Sequence, residues 1–298
     1  MNPTAWFVYL VIVLTWGTSW FVVKYQIGEV EPLVSVVYRF ALGAVLLFAW
    51  CRARGHRLRI GSSEHVWLAG QGACLFGVNY WLVYLATEKL TSGLIAVIFA
   101  SLAVFNLFNG RLFLKRSLSP IMLTGALVGF AGVCLLLWPD VAAMEWSLAV
   151  LGPVGFAFGG AYLASLGNIF ATHTIRFGLS VFAANAWGML YGSASLALFA
   201  LGLGMEFRFP ATTEYVLALV HLSVFASVIA FSGMIYLIGL IGPEKTGYIS
   251  TVVPVVALLV STQLEAYEWT VAAVVGLLMI AFGNFLMMRP QVQRVAGS

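Results

Sequence analysis

The feature that most constrains this chain is a series of ten long, almost uncharged apolar runs. They fall near residues 5–23, 32–50, 66–86, 92–110, 120–138, 148–170, 179–202, 214–238, 246–263 and 270–288. Each approaches the roughly 20 residues that a helix needs to cross a hydrocarbon core. The short polar connections leave almost no mass for a water-exposed body. In 298 residues there are only 15 Lys and Arg and 11 Asp and Glu, whereas 62% are hydrophobic. A soluble domain carries about a quarter charged residues, so a soluble enzyme, a disordered chain and a nucleic-acid binder are excluded. The expected fold is an all-α membrane protein of ten transmembrane helices. Cys51, Cys74 and Cys134 show no paired spacing, so neither a disulfide framework nor a metal site is read.

Short-loop basic residues set topology. With the N-terminus inside, the cytoplasmic segments hold Arg52, Arg54, Arg57, Arg59, Arg111, Lys115, Arg116, Arg176, Lys245, Arg289 and Arg294. The outer connections hold Lys24, Lys89 and Arg208 together with most of the acids. Both termini are therefore expected in the cytoplasm. The first run lacks a basic leader and a small-residue cleavage site, so it is expected to stay as a span.

Laying residues 91–138 over 242–289 aligns Gly125 and Gly132 with Gly276 and Gly283, and Ile98, Val104 and Leu107 with Ile249, Val255 and Leu258. An odd number of spans per half would insert the second half upside down. The expected organisation is thus two inverted five-helix repeats, 1–145 and 146–290, with a cytoplasmic tail at 291–298. Such repeats let a transporter alternate access around one central site.

The segment Trp16-Gly17-Thr18-Ser19 resembles the Trp-Gly signature that opens EamA-type proteins of the drug/metabolite transporter superfamily. The stretches from Thr91-Ser92-Gly93 to Gly132, and from Gly242-Pro243-Glu244 through Pro254 to Gly283, resemble the ends of the two EamA repeats. The third span, with Asn79-Tyr80-Trp81-Leu82-Val83-Tyr84, is most similar to the aromatic amino-acid exporter branch. The resemblance implies a central cavity enclosed by spans one to four and six to nine, with spans five and ten peripheral. Two positions depart from the family. Lys115-Arg116-Ser117 replaces an acidic residue, and Ala103 stands where the repeat mate Pro254 keeps proline, which suggests unequal bending of the halves.

No phosphate-binding loop, catalytic serine motif or zinc motif is present, and no enzyme activity or cofactor is expected. Intramembrane ionisable groups are costly, and usually functional; the sequence offers Arg39 and His221. Arg39 either snorkels to the outer interface or holds a substrate carboxylate through its planar fork. His221 reads as a packing histidine. No carboxylate lies mid-span, which argues against a carboxylate proton relay and for facilitated diffusion. Tyr38, Arg39, Asn79, Tyr80, Tyr84 and Ser101 are the candidate binding residues of the first half. Tyr162, Asn185, Trp187, Tyr248 and Ser250 are those of the second, in spans that line the site of the resembled family. Tyrosines and amides suit a ring with polar ends. Pro254 frees a backbone carbonyl and is the candidate gating residue. The glycine pairs Gly125/Gly129, Gly155/Gly159 and Gly188/Gly192 read as helix-packing motifs.

The expected function is export of amphipathic small metabolites, aromatic amino acids first, from a monomer in the inner membrane. A proton-coupled efflux pump for aromatic cations is the alternative within transport, and a channel or receptor is the alternative outside it. The partners are a small-molecule substrate and the lipid bilayer, with no nucleic acid.

Overall fold

A computed structural model describes residues 3–28, 30–115, 120–143, 148–241 and 249–287. Among these residues every regular element is helical. The ten helices are α1 (Pro3–Val22, continued by a 3-10 turn Val23–Gln26), α2 (Pro32–Ala53), α3 (Ser62–Thr87), α4 (Ser92–Leu114), α5 (Pro120–Ala143), α6 (Leu148–Thr174), α7 (Val181–Gly202), α8 (213–241), α9 (Ile249–Leu264) and α10 (Val271–Met287). They follow the ten apolar runs closely. By length and composition six segments can cross a membrane, namely Pro3–Gln26, Pro32–Ala53, Ser62–Thr87, Ser92–Leu114, Leu151–Thr174 and Thr213–Met234.

Local chemistry fixes the helix ends. Pro32 opens α2 at a position where a missing N–H costs nothing. The Ser180 hydroxyl accepts from Ala183 N at 3.2 Å to cap α7. Both α2 and α7 end on a left-handed glycine, Gly55 and Gly204. Beyond each glycine the next N–H folds back, His56 N to Cys51 O at 2.8 Å and Met205 N to Ala200 O at 2.9 Å. This Schellman closure needs a residue that tolerates positive φ.

The principal pairings come in matched sets. α1 packs on α8 as α6 packs on α3, and α1 on α9 as α6 on α4. α2 packs on α8 as α7 on α3, whereas α2–α7, α4–α9 and α5–α10 each pair a helix with its counterpart five places on. The α5–α10 seam is glycine-made. A methyl at Gly132 would lie 2.6 Å from Gly276 O, and one at Gly276 2.6 Å from Gly132 O. Gly188 and Gly192 likewise admit α3, since a methyl on Gly192 would lie 2.7 Å from Gly72 O. The Gly155/Gly159 motif does not make such a seam, because the space beside Gly155 is open.

Two irregularities were not legible in the sequence. α3 and α8 each contain a π-helical stretch, Gly72–Gly77 and His221–Ile229. A further irregularity distinguishes the two repeat mates α4 and α9. α4, which lacks the proline, is the helix interrupted at Ala100–Ser101, where the chain switches to tighter i→i+3 bonds from Ala100 N to Val97 O and Ser101 N to Ile98 O. α9 runs unbroken through Pro254.

Candidate functional site

The helices converge on a cavity of about 240 Å³. α1 contributes Trp16, Ser19 and Trp20, with Val23 from the turn that follows it. α2 contributes Arg39, α3 contributes Leu75, Asn79, Tyr80 and Val83, and α4 contributes Phe99 and Leu102. Ala164 and Asn168 of α6, Ala226 and Phe231 of α8 and Val253 of α9 complete the lining. No acidic residue is among them.

The irregular backbone explains several of these positions. A π stretch replaces the i→i+4 ladder with i→i+5 hydrogen bonds. Within that stretch of α8, Ala226 O accepts the Trp16 indole N–H at 3.0 Å. The adjoining Gly17 lets α1 approach the Val256 side chain of α9, so both members of the Trp-Gly pair act in packing around the cavity. In α3 the π stretch immediately precedes the segment that presents Asn79 and Tyr80.

Arg39 dominates the electrostatics. It is 3% exposed, and its guanidinium carbon lies 4.5 Å from the Tyr80 ring centre and 5.0 Å from that of Phe40. These contacts supply cation–π attraction, and the group lies buried inside the bundle. Its Nε has no hydrogen-bond partner, nor has Asn79 Oδ1, in a side chain that is 2% exposed. Among the described residues the ion pair present is Lys24–Glu265, so Arg39 has no carboxylate partner there. Both residues line the same ring-walled cavity.

The other candidates lie around this centre. Tyr84 is fully buried beside it, donating to Gln26 Oε1 at 2.6 Å. Ser101 is buried in the break of α4 next to Leu102, its hydroxyl unpartnered. The Tyr38 ring stands 5.6 Å from Phe209 in the α7–α8 connection, outside the cavity lining. Asn185 joins a buried network, accepting from Gln71 Nε2 at 3.4 Å while Thr174 donates to Gln71 Oε1 at 3.0 Å. Trp187 donates to Leu58 O at 3.1 Å at the α2–α3 connection. Tyr162 is 40% exposed and edges onto Phe105. Tyr248 and the Ser250 side chain lie outside the described residues. Pro254 is buried next to the lining residue Val253. His221 stacks on Phe225 with its Nε2 unpartnered.

Sequence reasoning missed Trp16, Trp20, Phe99, Asn168 and Phe231. A signal did exist for α1, because Trp16 and Trp20 are one helical turn apart and share a face. Asn168 is a mid-helix amide, and its Nδ2 donates to Asn106 Oδ1 at 3.2 Å to tie α6 to α4.

At one end of the bundle Glu265, just past α9, gathers three helices. Its carboxylate accepts from Ser92 N at 2.9 Å and from the Ser92 and Ser261 hydroxyls, and it pairs with Lys24 Nζ. Burial alone pushes this carboxyl up, but the hydrogen bonds from Lys24, Ser261 and Ser92 and the Lys24 charge outweigh it, leaving the pKa below the ordinary value.

A bundle of apolar helices closed around a small, ring-walled cavity with a buried cation defines a multi-pass membrane transporter. The model of the EamA-like transporter family matches residues 4–138 and again 152–289. The chain belongs to that family, part of the drug/metabolite transporter superfamily. It is 26% identical over 284 residues to "Uncharacterized inner membrane transporter YedA" of Escherichia coli (strain K12), covering 92% of this chain and 89% of that one. An "Uncharacterized transporter" of Archaeoglobus fulgidus is 27% identical over 233 residues, covering 78% of each chain. "Uncharacterized transporter YvbV" of Bacillus subtilis (strain 168) is 24% identical over 272 residues, covering 90% of this chain and 86% of that one. A solved structure titled "Crystal structure of protein" superposes with a TM-score of 0.68 at 20% identity, covering 96% of each chain.

Proposed function

We propose that this protein is a facilitative inner-membrane exporter of amphipathic small metabolites, taking aromatic amino acids ahead of aliphatic ones and of organic cations. The observation that carries the reading is Arg39, a buried cation without a carboxylate partner among the described residues, in a cavity walled by aromatic rings. Its planar fork suits a carboxylate, and the rings suit an aromatic side chain. The same cation repels a cationic drug, and the described lining residues offer no acid for a competing proton, which weighs against the efflux-pump alternative.

Ten spans arranged as two inverted repeats, 1–145 and 146–290, would carry the transport cycle. The twofold family match and the matched helix pairings support this layout. Both termini face the cytoplasm by the distribution of Lys and Arg, and the chain works as a monomer. Lys24 and Glu265 then lie at the outer end, where their pairing holds α1, α4 and α9 together. Opening outward separates these helices while the α5–α10 seam stays shut. Pro254, whose missing N–H weakens α9 beside the cavity, is the point at which α9 flexes.

The test is uptake of labelled aromatic and aliphatic amino acids into proteoliposomes with and without a pH gradient. Aromatic flux that follows the substrate gradient alone supports the reading. Flux that vanishes when only the pH gradient is removed overturns the facilitative mechanism.

A further inference from the structure

The proposed function leaves open which charge state the cavity favours, and the lining answers this through its own imbalance. An amino acid brings an ammonium as well as a carboxylate. The carboxylate has a partner in Arg39, but among the described residues no acidic side chain lines the cavity to balance the ammonium. Arg39 is 3% exposed and retains an unpartnered Nε, so its charge acts through a poorly screened medium. An ammonium held about 6 Å from that guanidinium weakens binding by roughly tenfold at an effective dielectric midway between protein and water. Losing the hydration of the ammonium adds to the penalty.

The group that the cavity does offer to this part of a ligand is neutral. Asn79 Oδ1 is a buried acceptor without a partner, in the same lining as Arg39. It calls for one donated hydrogen bond and no charge. A hydroxyl meets that need without opposing Arg39. The ring between Trp16, Trp20, Tyr80 and Phe99 is common to either ligand.

We infer that the cavity binds aromatic 2-hydroxycarboxylate anions, a substrate class outside the amino acids, more tightly than the zwitterions of the same shape. The carboxylate meets Arg39, the hydroxyl donates to Asn79 Oδ1, and the ring lies against the aromatic wall. This rests on the proposed function for the place of the ring and carboxylate, and departs from it on the third group.

A matched set separates the two. Full-length protein in nanodiscs is titrated by isothermal calorimetry at pH 7 with 3-phenyllactate, phenylalanine, 3-phenylpropanoate and phenylethylamine. The expected result is phenyllactate tighter than phenylalanine by roughly tenfold, with phenylethylamine not binding. In Arg39→Gln the preference for phenyllactate over phenylalanine should collapse. The wild-type ranking is itself decisive should that variant fail to fold. Phenylalanine binding as tightly as phenyllactate overturns the inference and leaves the amino-acid reading standing. No binding by any ring-bearing carboxylate overturns both. Equal affinity for phenyllactate and phenylpropanoate removes Asn79 from its assigned role and overturns the hydroxy-acid class.

Discussion

The guanidinium carbon of Arg39 lies 4.5 Å from the centre of the Tyr80 ring, with both residues lining one cavity. A charge at the bilayer centre costs about 2.5–3.5 kcal/mol on insertion scales, and the rings of Tyr80 and Phe40 stand against the buried Arg39 charge. Arg39→Lys keeps the charge but loses the planar fork and much of the stacking. Aromatic amino-acid uptake should fall about tenfold in Arg39→Lys and further in Arg39→Gln. Initial rates in proteoliposomes containing matched amounts of folded protein check this. Unchanged rates in both variants would remove Arg39 from the site.

Glu265 makes the packing of α1, α4 and α9 sensitive to acid. Its folded pKa is depressed, so its contribution to stability is complete above the ordinary carboxylate range, near about 4.3. That contribution is lost as the pH falls through the folded value, below that range. The detergent-solubilised protein should lose thermal stability on going from pH 6 towards the low end of this window. Glu265→Gln should be less stable at pH 7 and show a flatter acid limb. A wild-type melting temperature that does not change over the acid range would contradict the account.

The α5–α10 seam predicts a pair of opposite outcomes from one kind of substitution. Gly276→Ala places a methyl 2.6 Å from the Gly132 carbonyl, which is backbone and cannot swing aside. Overpacking of this kind costs about 1–3 kcal/mol. Gly155→Ala meets nothing within 4 Å and should be neutral or slightly stabilising in its helix. Melting curves of the two variants in the same detergent decide between them.

Pro254 sits within a continuous helix, and its proposed role concerns movement. Pro254→Ala restores a backbone donor and should stiffen α9. Transport should slow several-fold while equilibrium substrate affinity changes little. Rate and cysteine-accessibility labelling that both match wild type would remove it as a gate.

The ten helices were legible because hydrocarbon length imposes one period on every apolar run; the repeat singled out Gly125, Gly132, Gly276 and Gly283, but in the seam Gly132 meets Gly276 and Gly283 meets Gly125, contacts that the alignment of the halves does not give. The π stretches at Gly72–Gly77 and His221–Ile229 were not legible, since an inserted residue leaves an apolar pattern intact. Arg39, Asn79 and Tyr80 were recognisable as polar groups in an apolar setting, and the structure places them together. Trp187 and Asn185 share that chemistry yet serve elsewhere, one bonded to Leu58 O and the other to Gln71. Trp16 and Trp20 carried no polar anomaly, so among 43 aromatic residues only their position around the converging helices sets them apart. The break in α4 was not legible either: it falls at Ala100–Ser101, two residues before Ala103, and arises from a change in hydrogen-bond register, whereas α9 is continuous through Pro254.

The most direct measurement of the central claim is saturable uptake of labelled phenylalanine beside leucine into proteoliposomes, driven only by their concentration gradients. The account predicts phenylalanine flux well above leucine flux, competed by other ring-bearing carboxylates and lost in Arg39→Gln. Absence of flux for either amino acid, with protein shown to be folded and inserted, would contradict it.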